Sequence, residues 1–240
     1  MKAPDPIGCA IEDFVKGTAE ENIIVECDLS EDDIIPVGYL FRNEDLLPEI
    51  EKIALSKVKG SVLDIGAAAG PHSKILKERG FEVTAIDTSE KGVDYLKSIG
   101  INAIHSSILD YSDKKYDTLL LLMNGIGIAG RLAQLTDFLS HCASLLNEGG
   151  RIICDSTDVQ YFFEEDDGSL WVDLNTAYFG EFKFKMKYKD VLSDWFDWLY
   201  VDLSTLEEHC TEAGLKMEVL YQDAPAFLVE IKKNDNAGIM

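Results

Sequence analysis

Apolar runs and stretches of helical spacing alternate along the chain from residue 61 onward. The apolar runs predict strands at residues 61–65, 82–87, 101–105, 116–123 and 151–155. The stretches between them predict helices at 71–79, at 89–99 and from Leu132 to Leu146, the last closed by Gly149-Gly150. The run at 116–123 is apolar throughout, which is typical of a strand buried on both faces. This alternation predicts an α/β fold in which right-handed crossovers join parallel strands.

A different pattern follows residue 155. Phe182, Phe184, Met186 and Tyr188 alternate with lysines. This predicts a strand with one dry and one wet face. Residues 195–201 could form its hairpin partner. We therefore interpret residues 160–202 as an insert that carries a β-hairpin.

The two ends of the chain complete the prediction. Residues 1–36 are acidic and hard to assign, apart from a short strand signal at Ile23-Ile24-Val25. Helical spacing from Leu46 to Val58 leads into the first parallel strand. A helix at 204–214 and two strands at 215–221 and 226–231 are expected to close the fold.

A glycine turn follows the first predicted strand. The apolar run ends in Asp64, and Gly66 and Gly70 lead to Pro71, which opens a helical pattern. Such a turn at the carboxyl end of a strand is where open α/β sheets bind nucleotide-like ligands. The dinucleotide fingerprint G-x-G-x-x-G is absent, because Ala68 stands where its second glycine would be.

The acids beside this turn indicate which ligand it would bind. Asp64 is a poor neighbour for a pyrophosphate and a good one for a cation. S-adenosylmethionine carries an amine and a sulfonium and has no phosphate. Asp87 ends the second predicted strand, where a carboxylate can accept hydrogen bonds from ribose hydroxyls.

The chain resembles the class I S-adenosylmethionine-dependent methyltransferases through two segments, Val62-Leu63-Asp64-Ile65-Gly66-x-x-x-Gly70 and Val83-Thr84-Ala85-Ile86-Asp87. Ala68 replaces the middle glycine of the family's usual D-x-G-x-G-x-G pattern. The resemblance implies a Rossmann-like, doubly wound, mostly parallel sheet of seven strands in the order 3-2-1-4-5-7-6, with an antiparallel terminal hairpin. We expect a single methyltransferase domain over residues 1–240, with an N-terminal cap segment at 1–58 and the insert at 160–202 as a substrate lid.

The resemblance also implies a set of residues that would bind S-adenosylmethionine. Asp87 would bind the ribose, Ile108 would cover the adenine, and Arg42 would pair with the cofactor carboxylate. The complete set is Tyr39, Arg42, Asp64, Gly66, Ala67, Gly70, Asp87, Thr88, Ser107, Ile108, Asn124 and Gly125.

Methyl transfer from a sulfonium requires mainly that the nucleophile and the methyl group are held in line and that water is excluded. A general base is needed only if the nucleophile carries a proton that must leave. The catalytic residues therefore stay unknown at this stage. His72, Asp155 and Asp158 are weak candidates, each of which could equally be structural.

The net charge and the cysteine content limit the classes of partner that this protein could bind. The net charge of −22 disfavours nucleic acid and anionic membrane surfaces, which bind basic footprints. The five scattered cysteines show neither metal-ligand spacing nor a disulfide framework, so we expect no metal and a cytoplasmic protein. We expect a small-molecule methyl acceptor. Aromatic residues of the insert (Trp171, Phe179, Phe182, Phe184, Trp195, Phe196 and Trp198) could cover this acceptor or form the face of a homodimer.

Two other functions remain open on the sequence alone. One is a catalytically inactive protein that binds S-adenosylmethionine, which Ala68 and Ser107 in cofactor positions would suit. The other is a nicotinamide-dependent oxidoreductase, whose ribose Asp87 would fit but which the missing G-x-G-x-x-G disfavours.

Overall fold

A computed structural model describes residues 3–163 and 178–234. In chain order its helices are α1 (Pro6–Lys16), α2 (Glu49–Lys57), α3 (Pro71–Glu78), α4 (Glu90–Ser98), α5 (Leu132–Ser144) and α6 (Leu203–Glu212). Its strands are β1 (Ile23–Cys27), β2 (Asp33–Ile35), β3 (Val62–Ile65), β4 (Val83–Asp87), β5 (Asn102–His105), β6 (Tyr116–Leu121), β7 (Leu146–Thr157), β8 (Glu181–Tyr188), β9 (Val191–Leu192), β10 (Phe196–Leu199), β11 (Leu215–Asp223) and β12 (Ala226–Lys233).

Seven of these strands form the main sheet, in the order β11-β12-β7-β6-β3-β4-β5. The five strands from β3 to β7 pair in parallel, and β12 pairs antiparallel with both β7 and β11. Numbered by their order within this sheet, the strands run 3-2-1-4-5-7-6, so the predicted topology is confirmed. One buried cluster contains Leu119 and Phe138, and a second contains Leu55 and Leu120.

The boundary between α5 and β7 differs from the prediction. The apolar stripe was expected to continue as a helix to Leu146 and to end at Gly149-Gly150, but α5 ends at Ser144 and Leu146 begins β7. Leu146 pairs with Tyr116 at the start of β6. Leu146 is therefore buried as part of a strand and not of a helix, because pairing with a neighbouring strand overrides local helical spacing.

A second sheet joins the two segments that were expected to decorate the fold. Its strand order is β10-β8-β1-β2, and β9 pairs with β8. Strand β8 pairs with β10 as predicted, with Phe184 opposite Phe196. On its other side β8 pairs with β1, with Phe184 opposite Cys27. The hairpin of the insert is therefore continuous with the N-terminal strands.

Helix α1, which the sequence pattern did not predict, packs the N-terminal segment against α4. Its N-cap Asp5 accepts a hydrogen bond from the Gly8 backbone N–H at 2.7 Å. The other oxygen of Asp5 accepts one at 2.8 Å from the hydroxyl of Ser89, which caps α4. Lys91 of α4 pairs with Glu12 at 2.6 Å. The described part of the chain contains no helix that is long and apolar enough to span a membrane.

Candidate active site

A cavity of about 760 Å³ lies between the carboxyl edge of the main sheet and the second sheet. We call it the inter-sheet cavity. Its floor comes from the ends of β3 and β6 and the turns that follow them, including Asp64, Gly66 and Asn124. Its roof comes from β1, β8 and β10, whose side chains there are mainly apolar or aromatic: Val25, Phe182, Phe184, Met186, Phe196 and Trp198.

The turn after β3 presents its backbone to the cavity. Gly66 has φ +73°, a conformation that glycine adopts without strain. A Cβ atom built on Gly66 would meet only the Cδ1 atom of Ile128, at 3.5 Å, so the backbone here is open to a ligand. Ala68 also has a positive φ, of 49°, and its N–H donates to the Asp87 carboxylate at 2.7 Å. The turn is therefore held in place by the acid that ends the next strand.

Two buried carboxyl groups flank this turn. Asp64 is 2 % exposed and accepts a hydrogen bond from the Ser73 hydroxyl at 2.6 Å. Burial raises the pKa of Asp64 above its ordinary value. Burial likewise raises the pKa of Asp87, although hydrogen bonds from the Ser89 and Ala68 N–H groups oppose it. A cationic ligand beside these groups would favour their ionised forms.

A buried ion-pair network lies beside the floor. The Glu51 carboxylate accepts from the Arg42 guanidinium at 2.8 Å and contacts Nε2 of His72 at 2.7 Å. Burial acts to raise the pKa of Glu51, but the bonds to His72 and Arg42 outweigh it and hold that pKa below its ordinary value. Arg42 also donates to the Tyr39 carbonyl at 2.7 Å and stacks on the Tyr39 ring, 3.6 Å from its centroid. Among the described residues, the buried Nε of Arg42 has no hydrogen-bond partner.

The turn after β6 is strained and braced by side chains. Met123 and Asn124 have φ values of 63° and 57°, which non-glycine residues seldom adopt. The Asn124 N–H donates to Asp155 at 3.0 Å, and the Asn124 side-chain oxygen accepts from Thr157 at 2.8 Å. Burial is the main reason that the pKa of Asp155 is raised to about 6. Strain that is held in this way is typical of functional sites.

The structure brings six of the fifteen predicted site residues to the cavity wall and leaves the other nine outside the lining. Asp64, Gly66, Ala67, His72, Asn124 and Gly125 line the cavity. The remaining residues are outside the lining: Tyr39, Arg42, Gly70, Asp87, Thr88, Ser107, Ile108, Asp155 and Asp158. They keep local partners. The hydroxyl oxygen of Ser107, for example, accepts from the Leu109 N–H at 3.2 Å, and Asp158 accepts from the Gln160 N–H at 3.0 Å.

The aromatic residues of the insert divide in the same way. Phe182, Phe184, Phe196 and Trp198 line the cavity. Trp195 is 49 % exposed, with Lys185 over its ring, and Phe179 contacts the ring of Tyr178. Trp171 falls outside the described residues.

An N-terminal cap segment was expected, but the residues by which its first part lines the cavity were not predicted. Ile7, Val25, Cys27 and the acidic turn between β1 and β2 all line the cavity. The only signal in the sequence was the short apolar run at residues 23–25, which carries no information about its distant partner β8. Within the described residues, no cluster of His, Cys, Asp or Glu could hold a metal ion.

Comparison with known proteins agrees with this geometry. The model of a family described as a methyltransferase domain matches residues 40–219. A crystal structure of an S-adenosylmethionine-dependent methyltransferase from Bacteroides fragilis, in complex with S-adenosyl-L-homocysteine, is 37% identical. It matches with a TM-score of 0.90 over 97% of this chain and 96% of that chain.

More distant structures share the fold alone. The CcbJ methyltransferase from Streptomyces caelestis is 14% identical, with a TM-score of 0.59 over 79% of this chain and 98% of that chain. DesVI from Streptomyces venezuelae is 16% identical, with a TM-score of 0.54 over 78% of this chain and 91% of that chain. No curated protein sequence matched the chain.

The family match covers three quarters of the sequence, and the match to the Bacteroides fragilis protein covers nearly all of it. The structural match agrees with the fold, and both matches favour a methyltransferase over the nicotinamide-dependent oxidoreductase. The chain belongs to the class I S-adenosylmethionine-dependent methyltransferases.

Proposed function

We propose that this enzyme methylates a small molecule bound in the inter-sheet cavity. The observation that carries the proposal is the roof: β1, β8 and β10 cover the strand ends with apolar and aromatic side chains. The cavity volume of about 760 Å³ falls within the range of about 300–1,000 Å³ that is usual for small-molecule sites. The net charge of −22 adds a reason against a nucleic-acid acceptor.

The residues at the floor suit S-adenosylmethionine, which supplies a methyl group on a sulfonium whose leaving group is a neutral thioether. The open backbone at Gly66 permits close approach, and the Asp64 carboxyl group lies at the same wall. The unpartnered Nε of Arg42, beside the floor, would donate to the carboxylate of the cofactor. Asp87 would accept from ribose hydroxyls through lone pairs that the turn leaves unused.

The chain's own contribution to the reaction is positioning and exclusion of water. The aromatic roof would keep water from the reacting atoms. The braced turn at Asn124 and Gly125 would fix the acceptor at the end of β6. Of the three candidate bases, only His72 lines the cavity; because its Nε2 is bonded to Glu51, Nδ1 is the nitrogen that would take a proton. Asp155 would instead orient the Asn124 backbone.

The test is methyl transfer from S-adenosylmethionine with a tritium-labelled methyl group. The enzyme is offered small amines, alcohols and phenols, and separately DNA, RNA and protein. We expect label in small molecules. Label in macromolecules alone would contradict the proposal.

A pair of tryptophan variants localises the activity. Trp198 of β10 lines the roof, whereas Trp195 directly precedes β10 and is outside the lining. Trp198→Ala should lower kcat/KM at least about tenfold, since removing a ring from an apolar wall forfeits about 1.5 kcal/mol or more. It should leave the affinity for S-adenosylhomocysteine within about threefold, and Trp195→Ala should change neither. Equal effects of the two variants would show that the roof does not hold the acceptor.

A further inference from the structure

The described lining of the inter-sheet cavity contains more acidic than basic residues, and this favours some small molecules over others. The basic residue in its described lining is His72, whereas Glu31, Asp32, Asp33 and Asp64 contribute carboxyl groups. Asp64 belongs to the floor beside the glycine turn. Glu31 and Asp32 come from the turn between β1 and β2, and Asp33 begins β2 at the edge of the roof.

The aromatic wall of the roof forms a continuous surface next to these acids. The Tyr200 ring meets the Phe182 ring edge-on at 5.3 Å and the Phe184 ring edge-on at 6.2 Å. Phe196 lies 6.3 Å from Phe184 and 6.2 Å from Trp198. All five residues line the cavity. In the described part of the chain, no Lys or Arg side chain lies over any of these rings. No basic side chain of this part of the chain therefore competes for the cation that aromatic faces attract.

The acids and the rings face the same space. Burial is the main cause that raises the pKa of Tyr200 to about 12, and the nearby carboxylate of Asp33 adds to it. Glu31, Asp32 and Asp33 are exposed, and none of them pairs with a Lys or Arg among the described residues. An anionic acceptor would meet this edge without a compensating cation, whereas a cationic one would gain from both the acids and the rings.

We infer that the acceptor is an amphipathic amine, whose apolar body packs on the aromatic wall and whose ammonium group faces Glu31, Asp32 and Asp33. This inference rests on the proposed function, because it assigns the acceptor class of the same cavity. The acids recognise the ammonium group, which need not be the atom that receives the methyl group. The three acids are specificity-determining residues that recognise the positive charge of the acceptor.

The test compares phenylalkyl ligands of similar size and different charge. Phenethylamine, 3-phenyl-1-propanol and 3-phenylpropionate are titrated calorimetrically into the enzyme saturated with S-adenosylhomocysteine, at neutral pH. We expect phenethylamine to bind at least about tenfold more tightly than either of the others. Equal or weaker binding of phenethylamine, including no detectable binding, would overturn the inference.

Two triple variants show whether the acids cause this preference. Glu31→Gln/Asp32→Asn/Asp33→Asn should reduce the preference for phenethylamine to within about threefold, with unchanged affinity for S-adenosylhomocysteine as evidence of folding. The control Glu148→Gln/Glu207→Gln/Glu208→Gln removes the same charge from exposed positions outside the lining and should keep the preference. A preference that survives in the first variant, or that is lost equally in both, would overturn the assignment of the three acids.

Failure of this inference can be told apart from failure of the proposed function. If labelled methyl groups reach neutral or acidic small molecules while amines are neither bound nor methylated, the amine class is wrong and the small-molecule function stands. If no small molecule is labelled and a macromolecule is, the proposed function fails and this inference fails with it.

Discussion

Ala68 is the residue at which the chain departs from its family's glycine pattern, and it has the left-handed backbone that glycine would favour, with φ of 49°. A side chain in this conformation costs roughly 1 kcal/mol. Its N–H nevertheless binds Asp87 at 2.7 Å, so the turn keeps the geometry expected of a glycine. The methyl group adds strain to the turn without displacing it.

Replacing this residue tests that explanation. Ala68→Gly should raise the free energy of unfolding by up to about 1 kcal/mol, because it relieves strain in the folded state. Urea denaturation measures the change. Ala69→Gly is the matched control: Ala69 is buried and has no positive φ, so glycine there should destabilise the protein by about 0.5–1 kcal/mol. If Ala68→Gly loses as much stability as the control, the backbone at Ala68 is not strained.

The residues at strand ends were the predictable part of the site. Asp64 lies near the end of β3 and Asn124 follows the neighbouring parallel strand β6, and the carboxyl ends of such strands meet at one edge. Arg42 shows where such reasoning ends. Its predicted role as a partner of the cofactor carboxylate stays a prediction. Its observed bonds to Glu51 depend on how α2 packs, and no local sequence pattern encodes that packing.

At the scale of elements, β1 is the member of the second sheet that ties the N-terminus to the insert. Ile24 pairs with Ile34 of β2 on one side and with Lys187 of β8 on the other. In a central strand each backbone N–H is needed by one neighbour or the other. Ile34 is on the edge strand, and its N–H is bound locally by the Asp33 side chain at 2.7 Å.

Proline substitutions distinguish these two positions. Ile24→Pro should lower the free energy of unfolding by about 1–3 kcal/mol, the cost of an unmatched ladder group, and should lower methyl transfer through the disturbed roof. Ile34→Pro, the same chemical change on the paired residue, should cost less, since edge strands tolerate proline. Thermal melting and the methyl-transfer assay provide both readouts. If Ile34→Pro proves as damaging as Ile24→Pro, β1 is not the element that holds the roof.

Elements whose own sequence has a clear apolar pattern were predicted to within a few residues. Elements whose conformation depends on residues far away in the sequence were not. Strands β3, β4 and β6 have apolar runs that announce burial on both faces. The first residues of β7 lack such a run and owe their conformation to pairing with β6. Helix α1 has a clear N-cap at Asp5, yet it lies in an acidic segment whose contacts with α4 are long-range.

For the whole molecule, the acidic excess dominates the electrostatics. With 44 acidic and 22 basic side chains, one-to-one pairing leaves at least half of the carboxylates without a basic partner. The ion pairs at the surface, such as Lys114 with Glu82, contribute little. Repulsion among the unpaired carboxylates therefore opposes the compact state.

Salt should relieve this repulsion. Raising NaCl from about 0.01 M to about 0.15 M shortens the Debye length from about 30 Å to about 8 Å. The melting temperature should rise, by about 2–4 °C for each kcal/mol of repulsion that is screened. Calorimetric melting measures it, and the Glu148→Gln/Glu207→Gln/Glu208→Gln variant should show a smaller rise. A melting temperature that is constant or falls over this range would show that the excess charge is not destabilising.

The pairing of β1 with β8 has a consequence for the newly made chain. The Lys183 N–H donates to Asp28, 155 residues earlier in the sequence. At synthesis rates of about 5–20 residues per second, β1 leaves the ribosome roughly 10–30 s before the strand that covers it. During that interval Ile24 and Val25 can pair with β2 but lack their partner β8, and the acids Glu31, Asp32 and Asp33 lie close by in the sequence. Charges that flank such a segment suppress aggregation, so the acidic turn would also protect the nascent chain until its roof can close.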